Sequence, residues 1–229
     1  FMKAVEGNMD YNLINPKNNQ VDGSLNAREV FSKIVEGAWN NGEPGMIFLD
    51  QVNKDNHVTN TYGEMIATNP CGEQPLLGNE SCNLGSINLA RFYQKADGPT
   101  HGWQEKIDWD RLENVTRTSA HFLDNVIDAN HYATPEIEEM TKSTRKIGLG
   151  IMGFADLLIQ MHIPYNSETA RKIGAEIMSK VREWADDESK ELAKVRGTFP
   201  AWDDSNYNKD TEAYRNHCRL TVAPTGTIS

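Results

Sequence analysis

Apolar residues recur at three- and four-residue steps in three long stretches of the chain, at about 27–41, 108–130 and 167–195. This spacing puts the apolar side chains on one face of a helix, so each stretch is predicted to be an amphipathic helix. Asn26 and Ser167 stand where N-caps belong, and Gly42 and Gly197 stand where helices end. The apolar stripes consist of Val30, Ile34, Ala38 and Trp39; Trp109, Leu112, Val115, Leu123, Val126 and Ile127; and Ala170, Ile173, Ile177, Val181, Trp184, Leu192 and Val195.

Shorter patterns predict the remaining elements. Thr134-Pro135 is a cap followed by proline at the first helical position, and a further short helix is predicted over about 153–162, before Pro164. Short strands are predicted where apolar residues lie between turn residues, at 11–14, at 45–50 (buried) and at 218–222. Turns and polar loops are predicted at Asn15-Pro16, at Asp22-Gly23, over 94–106 and over 200–210.

Gly148, Gly150 and Gly153 form the pattern Gly-x-Gly-x-x-Gly, which occurs in dinucleotide-binding turns. That interpretation needs a strand before the pattern and an acidic residue about 20 residues later, at the end of a second strand. The residues before Gly148 are polar and charged, and the later position falls in the predicted helix 167–195. We therefore expect these glycines to allow close packing of a strand against a helix.

Charge and composition exclude several classes of function. The chain has 23 Lys and Arg against 33 Asp and Glu, a net charge of −10, which disfavours nonspecific binding to nucleic acid or to anionic membranes. No apolar run approaches the ~20 residues of a membrane span, and no signal peptide is recognisable. The 3 cysteines are irregularly spaced, which fits neither a secreted disulfide framework nor a zinc site, and His121 and His131 are expected to be ordinary helix residues. We expect a cytoplasmic location and no metal.

The strongest chemical signal is the sequence Asn69-Pro70-Cys71-Gly72-Glu73. In an extended segment Asn69, Cys71 and Glu73 would share one face, with a thiol between an amide and a carboxylate. Such a group can hold a hydroxylated substrate, take a proton from it and carry out sulfur chemistry. A second thiol, Cys82, follows within residues 81–89, which carry few charges and are expected inside the protein with their polar groups paired.

A second signal stands at the end of the sequence. The predicted strand 218–222 enters the turn Pro224-Thr225-Gly226-Thr227. Backbone N–H groups in such a turn, with threonine hydroxyls beside them, suit a phosphate group. The pattern alone favours an ordinary strand and turn.

These two segments resemble ribonucleotide reductases. The run from Asn69 to Leu76, and the run Glu-Ser-Cys-Asn-Leu-Gly-Ser-Ile-Asn-Leu that contains Cys82, are similar to the finger loop of the adenosylcobalamin-dependent class II enzymes that act on diphosphates. Ala-Pro-Thr-Gly-Thr-Ile-Ser at 223–229 resembles their substrate-diphosphate loop, and the run from Arg145 to Asp156 is similar to a stretch found in reductase large subunits. The resemblance implies a helix-rich α/β portion of the family's ten-stranded α/β barrel, with the finger loop at about 66–86, its tip at Cys71 inside the barrel, and the phosphate loop at 224–229.

The resemblance also implies a thiyl-radical mechanism. Homolysis of the cobalt–carbon bond of adenosylcobalamin would give a radical that takes hydrogen from Cys71, and Cys71 would then remove the ribose 3′-hydrogen. Glu73 would be the base on the 3′-hydroxyl, Asn69 would hold the substrate hydroxyls, and Cys82 would be one member of the reducing dithiol. Cys218 does not match the family's partner cysteine and is expected to be a buried strand residue. The substrate-binding positions implied are Asn69, Pro70, Cys71, Gly72, Glu73, Pro224, Thr225, Gly226, Thr227 and Ile228.

The partners implied are a ribonucleoside diphosphate, a thioredoxin-type or small dithiol reductant and the remaining segments of the reductase; a homodimer is also allowed. The chain opens inside a predicted helix and stops at the phosphate-type turn, so we expect a central piece of a longer protein that is inactive alone. Two alternatives stay open: a cobalamin-independent, class I type large subunit, and a non-catalytic fragment that acts only with complementing segments.

Overall fold

The computed structural model describes residues 1–95, 102–207 and 213–229. These residues form two compact units, Phe1–Phe48 and Leu49–Ser229. The predicted loops 94–106 and 200–210 lie in part outside the described residues.

The first unit contains two helices and a hairpin. Helix α1 (Met2–Glu6) is followed by the antiparallel strands β1 (Asp10–Ile14) and β2 (Val21–Asn26), and then by α2 (Ala27–Asn41). The side chain of Asn26 accepts hydrogen bonds from the N–H groups of Arg28 and Glu29, and Gly42 ends α2 with a φ of 88°, so both predicted ends are confirmed. The stripe of α2 is only partly covered, and Trp39 is 85% exposed.

Two predictions in this unit are wrong. Asp22 and Gly23 lie within β2, because the turn of the hairpin falls earlier, between the two strands. Residues 45–48 form no strand, and Met46, Ile47 and Phe48 are exposed. An apolar run becomes a strand only where a neighbouring strand accepts its backbone hydrogen bonds, and none of the described strands pairs with this one.

The second unit contains four strands and six helices in the described residues. The strands are β3 (Ala67–Thr68), β4 (Pro75–Leu76), β5 (Asn83–Asn88) and β6 (Ile147–Met152). The helices are α3 (Leu49–Val52), α4 (Thr59–Tyr62), α5 (Trp109–Ala129), α6 (Pro135–Thr144), α7 (Phe154–Gln160) and α8 (Glu168–Arg196). Short 3-10 turns occur at Asn53–Asp55, Leu89–Phe92, Trp103–Lys106 and Pro200–Trp202.

The long helices confirm the periodicity of the sequence. Asp108 caps α5, Thr134 caps α6 with Pro135 in its first turn, and Ser167 caps α8. Helices α5 and α8 pack on each other and enclose the main core together with β5, β6 and α7. The last position of the α8 stripe is wrong, since Val195 is 83% exposed in the final turn of the helix, past the core.

Strands β5 and β6 are parallel and in register, with Asn83 opposite Ile147. The segment 218–221 lies along the other side of β6, where Leu149 donates to the Arg219 carbonyl (2.9 Å) and Thr221 donates to the Leu149 carbonyl (3.1 Å). It forms a single bridge, at Leu220, rather than the regular strand predicted for 218–222. The backbone bends as the chain turns toward its last residues.

Gly148 and Gly150 lie in strand β6, and Gly153 follows the strand as the N-cap of α7, with a φ of 69°. A β-carbon on Gly148 would meet Leu84 and Thr221 side-chain atoms at 2.6 and 2.7 Å, and one on Gly150 would overlap the Thr221 carbonyl oxygen. The predicted role in close packing is correct, but the close neighbours are the flanking β5 and the segment 218–221 rather than a helix.

A buried carboxylate connects several elements of this unit. Asp124, on α5, is fully buried and accepts hydrogen bonds from Arg145 (2.9 Å), which follows α6, and from Asn216 (2.9 Å). Arg196 at the end of α8 and Arg215 approach its second oxygen at 3.3 and 3.4 Å. Several donors therefore offset the cost of burying this charge.

Among the described residues, no helix has both the length and the apolar character needed to cross a membrane. His121 contacts Glu188 (3.1 Å) and Arg196 (3.0 Å) on α8. The prediction of an ordinary helix residue agrees with these surface contacts.

Candidate active site

The segment 69–74 is the turn of a hairpin whose arms are β3 and β4. The Asn69 carbonyl accepts from the Gly72 N–H (3.1 Å), and the Asn69 side-chain oxygen accepts from the Gln74 N–H (3.0 Å). Gly72 has a φ of 83°, a backbone conformation that favours glycine. The predicted extended conformation is therefore wrong, because these local hydrogen bonds close a turn instead.

Within the turn, Cys71 and Glu73 differ in how far they are exposed to solvent. Cys71 lies at the tip and is exposed, so its predicted position at a tip is correct and its predicted position inside is not, within this chain. Turn tips face outward when no neighbouring element covers them. Glu73 is half-buried, and its Oε2 atom is buried without a hydrogen-bond partner among the described residues.

Thr221 connects the turn to the sheet. Its hydroxyl donates to the Glu73 carbonyl (2.9 Å), while its own N–H donates to Leu149 in β6. The position of Glu73 is thus tied to the bent segment that leads to residues 224–229. Sequence reasoning missed Thr221, since a lone threonine in a predicted strand carries no signal of this contact.

The final turn is formed by Thr225 to Ser229. The Thr225 carbonyl accepts from the N–H groups of Ile228 (3.3 Å) and Ser229 (3.0 Å). Thr225 has a positive φ of 56° in this turn, which is unusual for a residue other than glycine. Gly226 has open space around it, with no atom within 4 Å of a β-carbon placed there.

A groove of about 410 Å³ brings the two predicted segments together. It is lined by Cys71 and Glu73 from the hairpin, by 84–86 from β5 and by 223–228 from the final turn. Asn69, Pro70 and Gly72 support this groove from the turn and are not among its lining residues. Leu84, Gly85 and Ser86 were missed as groove residues, although alternation along a strand exposes part of β5: Leu84 is 45% exposed, against the expectation that 81–89 are internal.

Cys82 lies outside this groove, at the start of β5. It lines a separate cavity of about 250 Å³ with Asn83, Tyr132 and Thr141, among others, and its Sγ donates to the Asn83 carbonyl (3.3 Å). Burial raises the pKa of the Cys82 thiol to about 12, against an opposing effect of Lys146. The Asn83 Oδ1 atom is buried without a partner among the described residues, so the polar groups of 81–89 are not all paired as predicted.

Cys218 lies on the opposite side of β6 from Cys82, where its carbonyl accepts from the Ile147 N–H (3.0 Å). Burial also raises the pKa of its thiol. All three cysteines are free thiols in the structure, and the two half-buried ones, Cys82 and Cys218, flank the start of β6. Their raised pKa values keep both thiols protonated near neutral pH. Cys218 is neither fully buried nor in a regular strand, contrary to the prediction, because its segment forms only one bridge to β6.

The chain was compared with known families and proteins. The family described as "Ribonucleotide reductase, barrel domain" matches residues 1–215. Among curated proteins, the chain is similar to the vitamin B12-dependent ribonucleoside-diphosphate reductase of Thermoplasma acidophilum, with 48% identity over 97% of this chain and 28% of that protein. It is also similar to the enzyme of that name from Mycobacterium tuberculosis (strain CDC 1551 / Oshkosh), with 46% identity over 100% of this chain and 32% of that protein.

Among solved structures, the chain is similar to the Actinobacillus ureae class Id ribonucleotide reductase alpha subunit, with a TM-score of 0.69 and 23% identity. The likeness covers 87% of this chain and 36% of that one, and it concerns the fold. The chain thus spans about three-tenths of the length of the curated relatives named above.

Proposed function

The chain belongs to the ribonucleotide reductase barrel family, and on that premise we propose that its protein reduces ribonucleoside diphosphates to 2′-deoxyribonucleoside diphosphates with adenosylcobalamin as the radical source. The predicted fold class, a helix-rich part of the reductase α/β barrel, is confirmed by the family match and the structural likeness. The names of the two curated relatives state the reductase activity and its dependence on vitamin B12. Residues 1–229 would be part of the catalytic barrel, with the finger loop at 66–86 and the phosphate loop at 224–229.

The observation that carries this proposal is the Glu73 Oε2 atom. A buried carboxylate oxygen without a donor costs about 1–3 kcal/mol, so native structures seldom leave one unpaired without a reason. This oxygen belongs to a residue that lines one groove with the Cys71 thiol and the final turn. A ribose hydroxyl in that groove would supply the missing donor.

The roles proposed for the residues are those that the resemblance to the family implies. Cys71, after losing its hydrogen atom, takes the 3′-hydrogen of the ribose, and Glu73 accepts the proton of the 3′-hydroxyl. The 2′-hydroxyl then leaves as water, and two thiols supply the two electrons and become a disulfide. Cys82 is proposed as one of these thiols, and its high pKa suits a group that delivers hydrogen rather than a free thiolate.

Asn69 is proposed to hold the substrate hydroxyls. Its side-chain oxygen already accepts from the Gln74 N–H, so the amide NH₂ is the group left to contact a substrate oxygen. The hydrogen bond to Gln74 fixes the orientation of that amide. Pro70 and Gly72 shape the turn, and their contribution to binding is to hold Cys71 and Glu73 at the groove.

The diphosphate is proposed to lie at the final turn. The carbonyl of Thr225 is occupied by the N–H groups of Ile228 and Ser229, which closes the backbone around Gly226 and Thr227. Backbone N–H groups and threonine hydroxyls bind phosphate oxygens well, and the open space at Gly226 admits them closely. Pro224 and Ile228 line the same groove and would contact the nucleotide.

Adenosylcobalamin would fit against this chain at the tip of the turn that carries Cys71. Cys71 is exposed at the tip of its turn, where a bulky group outside the groove can reach the thiol without displacing a substrate inside it. When bound, this cofactor supplies an organic radical. Pro70, Cys71 and Gly72 are the residues of this chain that would contact it.

The finer expectations on partners follow from the same proposal. The reductant would be a thioredoxin-type protein or a small dithiol. The remaining segments of the reductase would complete the barrel. The proposal also includes a homodimer and a cytoplasmic location. A cobalamin-independent enzyme is the second candidate. A Chlamydia pneumoniae protein named ribonucleoside-diphosphate reductase subunit alpha is 32% identical over 192 residues.

The test is an assay of the full-length protein with ribonucleoside diphosphates and a dithiol, with and without adenosylcobalamin. We expect deoxynucleotides only with the cofactor, and none from Cys71→Ser. Activity without the cofactor, in the presence of a radical-generating partner protein, would favour the second candidate. The purified 229-residue chain is expected to be inactive, and product formation by it would contradict the proposal that other segments are required.

A further inference from the structure

Beneath the hairpin of the Cys71 turn lies a fully buried ion pair. Lys146 Nζ and Glu80 Oε2 are 2.8 Å apart, and both side chains have no exposed surface. Lysine and glutamate are almost never buried completely unless they are paired. Replacing such a pair by apolar residues is often neutral or stabilising, so stability alone does not account for this one.

The pair holds the hairpin through its backbone. Lys146 Nζ also donates to the Pro75 carbonyl (2.9 Å), and Glu80 Oε2 accepts from the Leu77 N–H (2.9 Å). Pro75 is the residue of β4 that pairs with Thr68 of β3, and each of these strands has only two residues. A two-stranded hairpin is marginally stable by itself, so this one depends on anchors outside its own ladder.

The same pair lies close in sequence to Cys82 and to the two strands that pair just after it, β5 and β6. Lys146 directly precedes Ile147, which pairs with Asn83, the residue after Cys82. Glu80 lies two residues before Cys82. The hydrogen bonds of one ammonium group therefore hold the arm that follows Cys71, and the next residue along the chain, Ile147, begins the ladder with the strand that follows Cys82.

We propose that Lys146, paired with Glu80, is a positioning residue that sets the Cys71 turn relative to Cys82. This inference rests on the proposed function, in which Cys71 starts the reaction and Cys82 delivers reducing equivalents to the same substrate. A misplacement of about 1 Å between reacting groups can cost on the order of 100-fold in rate. The pair thus secures a geometry that the short hairpin does not secure alone.

The test uses three variants of the full-length protein. Lys146→Met leaves Glu80 buried and unpaired, so it is expected to lower the melting temperature and kcat together. Lys146→Met/Glu80→Gln removes both charges; it is expected to recover the melting temperature while kcat stays about 100-fold low and KM changes little. Lys142→Met removes an exposed lysine four residues earlier and is expected to behave as wild type.

A second measurement does not depend on activity. Hydrogen exchange at the amides of Asn69, Gly72 and Gln74 is expected to be faster in the double variant than in wild type, with unchanged exchange in β6. Either wild-type kcat or wild-type hairpin exchange in the double variant would overturn the inference. If wild type itself reduces no nucleotide, the proposed function fails, while unchanged hairpin exchange in the double variant refutes the positioning role separately.

Discussion

Gly150 is the position in β6 where a single methyl group should do most damage. A β-carbon there would overlap the backbone carbonyl oxygen of Thr221 and stand 3.3 Å from its carbonyl carbon. No change of rotamer relieves a clash with backbone, so in Gly150→Ala the segment 218–221 has to move away from β6. That movement strains the hydrogen bonds that join Leu149 to Arg219 and to Thr221.

The cost can be worked out from these contacts. Overpacking a well-packed site costs about 1–3 kcal/mol, and weakening two backbone hydrogen bonds costs about 1 kcal/mol each. Alanine also reduces the entropy of the unfolded chain, which returns about 0.4–1 kcal/mol. The expected net loss in the free energy of opening at this segment is about 2–5 kcal/mol.

The assay is native-state hydrogen exchange of the Leu149 and Thr221 amides in the full-length protein. Gly148→Ala is the milder comparison in the same strand, because its new atom would meet side-chain atoms of Leu84 (2.6 Å), Thr221 (2.7 Å) and Cys82 (3.1 Å) rather than backbone. Gly226→Ala has no atom within 4 Å and should cost nothing here. Equal losses in Gly150→Ala and Gly148→Ala, or no loss in Gly150→Ala, would refute the reasoning.

The remaining predictions concern Glu73, Cys82, Gly226 and His217. Glu73→Gln should still bind nucleotide but lose about 10²–10⁴-fold in steady-state rate, since an amide does not take up the proton; a near-normal rate would assign the base to another group. Cys82→Ser should still form the radical but should not turn over repeatedly with a dithiol, whereas Cys218→Ser should turn over normally. Repeated turnover by Cys82→Ser would exclude Cys82 from the redox step. Gly226→Val should raise the substrate KM without changing stability, and an unchanged KM would make the turn purely structural. Burial lowers the pKa of His217 from 6.5 to about 4. As pH falls, the unfolded chain therefore binds the proton first, and the free energy of unfolding declines between those pH values by up to about 3 kcal/mol. Unfolding measured from pH 7 to 4 should show this slope in wild type and a flatter one in His217→Phe.

The sequence predicted the helices well because their information is local. A cap, a periodic apolar face and a terminal glycine all lie within the helix or beside it, as Ser167 and Gly197 do for α8. Strands need partners that are distant in the chain. The apolar residues 45–48 therefore predicted a strand that does not form. The glycines of β6 weaken the apolar pattern of a segment that does form a strand.

The candidate site was also predictable only in part. The residue types at Cys71 and Glu73, and their association with residues 224–228, could be predicted from motifs, and the shared groove agrees with that prediction. The turn geometry at Asn69 and Gly72 could not, because it depends on hydrogen bonds that compete with an extended backbone. Thr221 carries no motif, and although Glu80 and Lys146 lie in runs that resemble the family, only the tertiary structure shows that these residues hold the hairpin.

The Asp124 cluster also bears on the order in which the chain can fold during synthesis. Asn216 bonds to a carboxylate that lies 92 residues earlier. At typical translation rates the ribosome needs roughly 5–20 s to make that length of chain. During this interval α5 emerges with a carboxylate that its later neighbours have not yet reached, and Arg145, then Arg196 and last Arg215 arrive to pair with it. Closure of this unit is therefore a late event on the nascent chain, and a ribosome that stalls before residue 216 presents α5 with its buried charge incompletely paired.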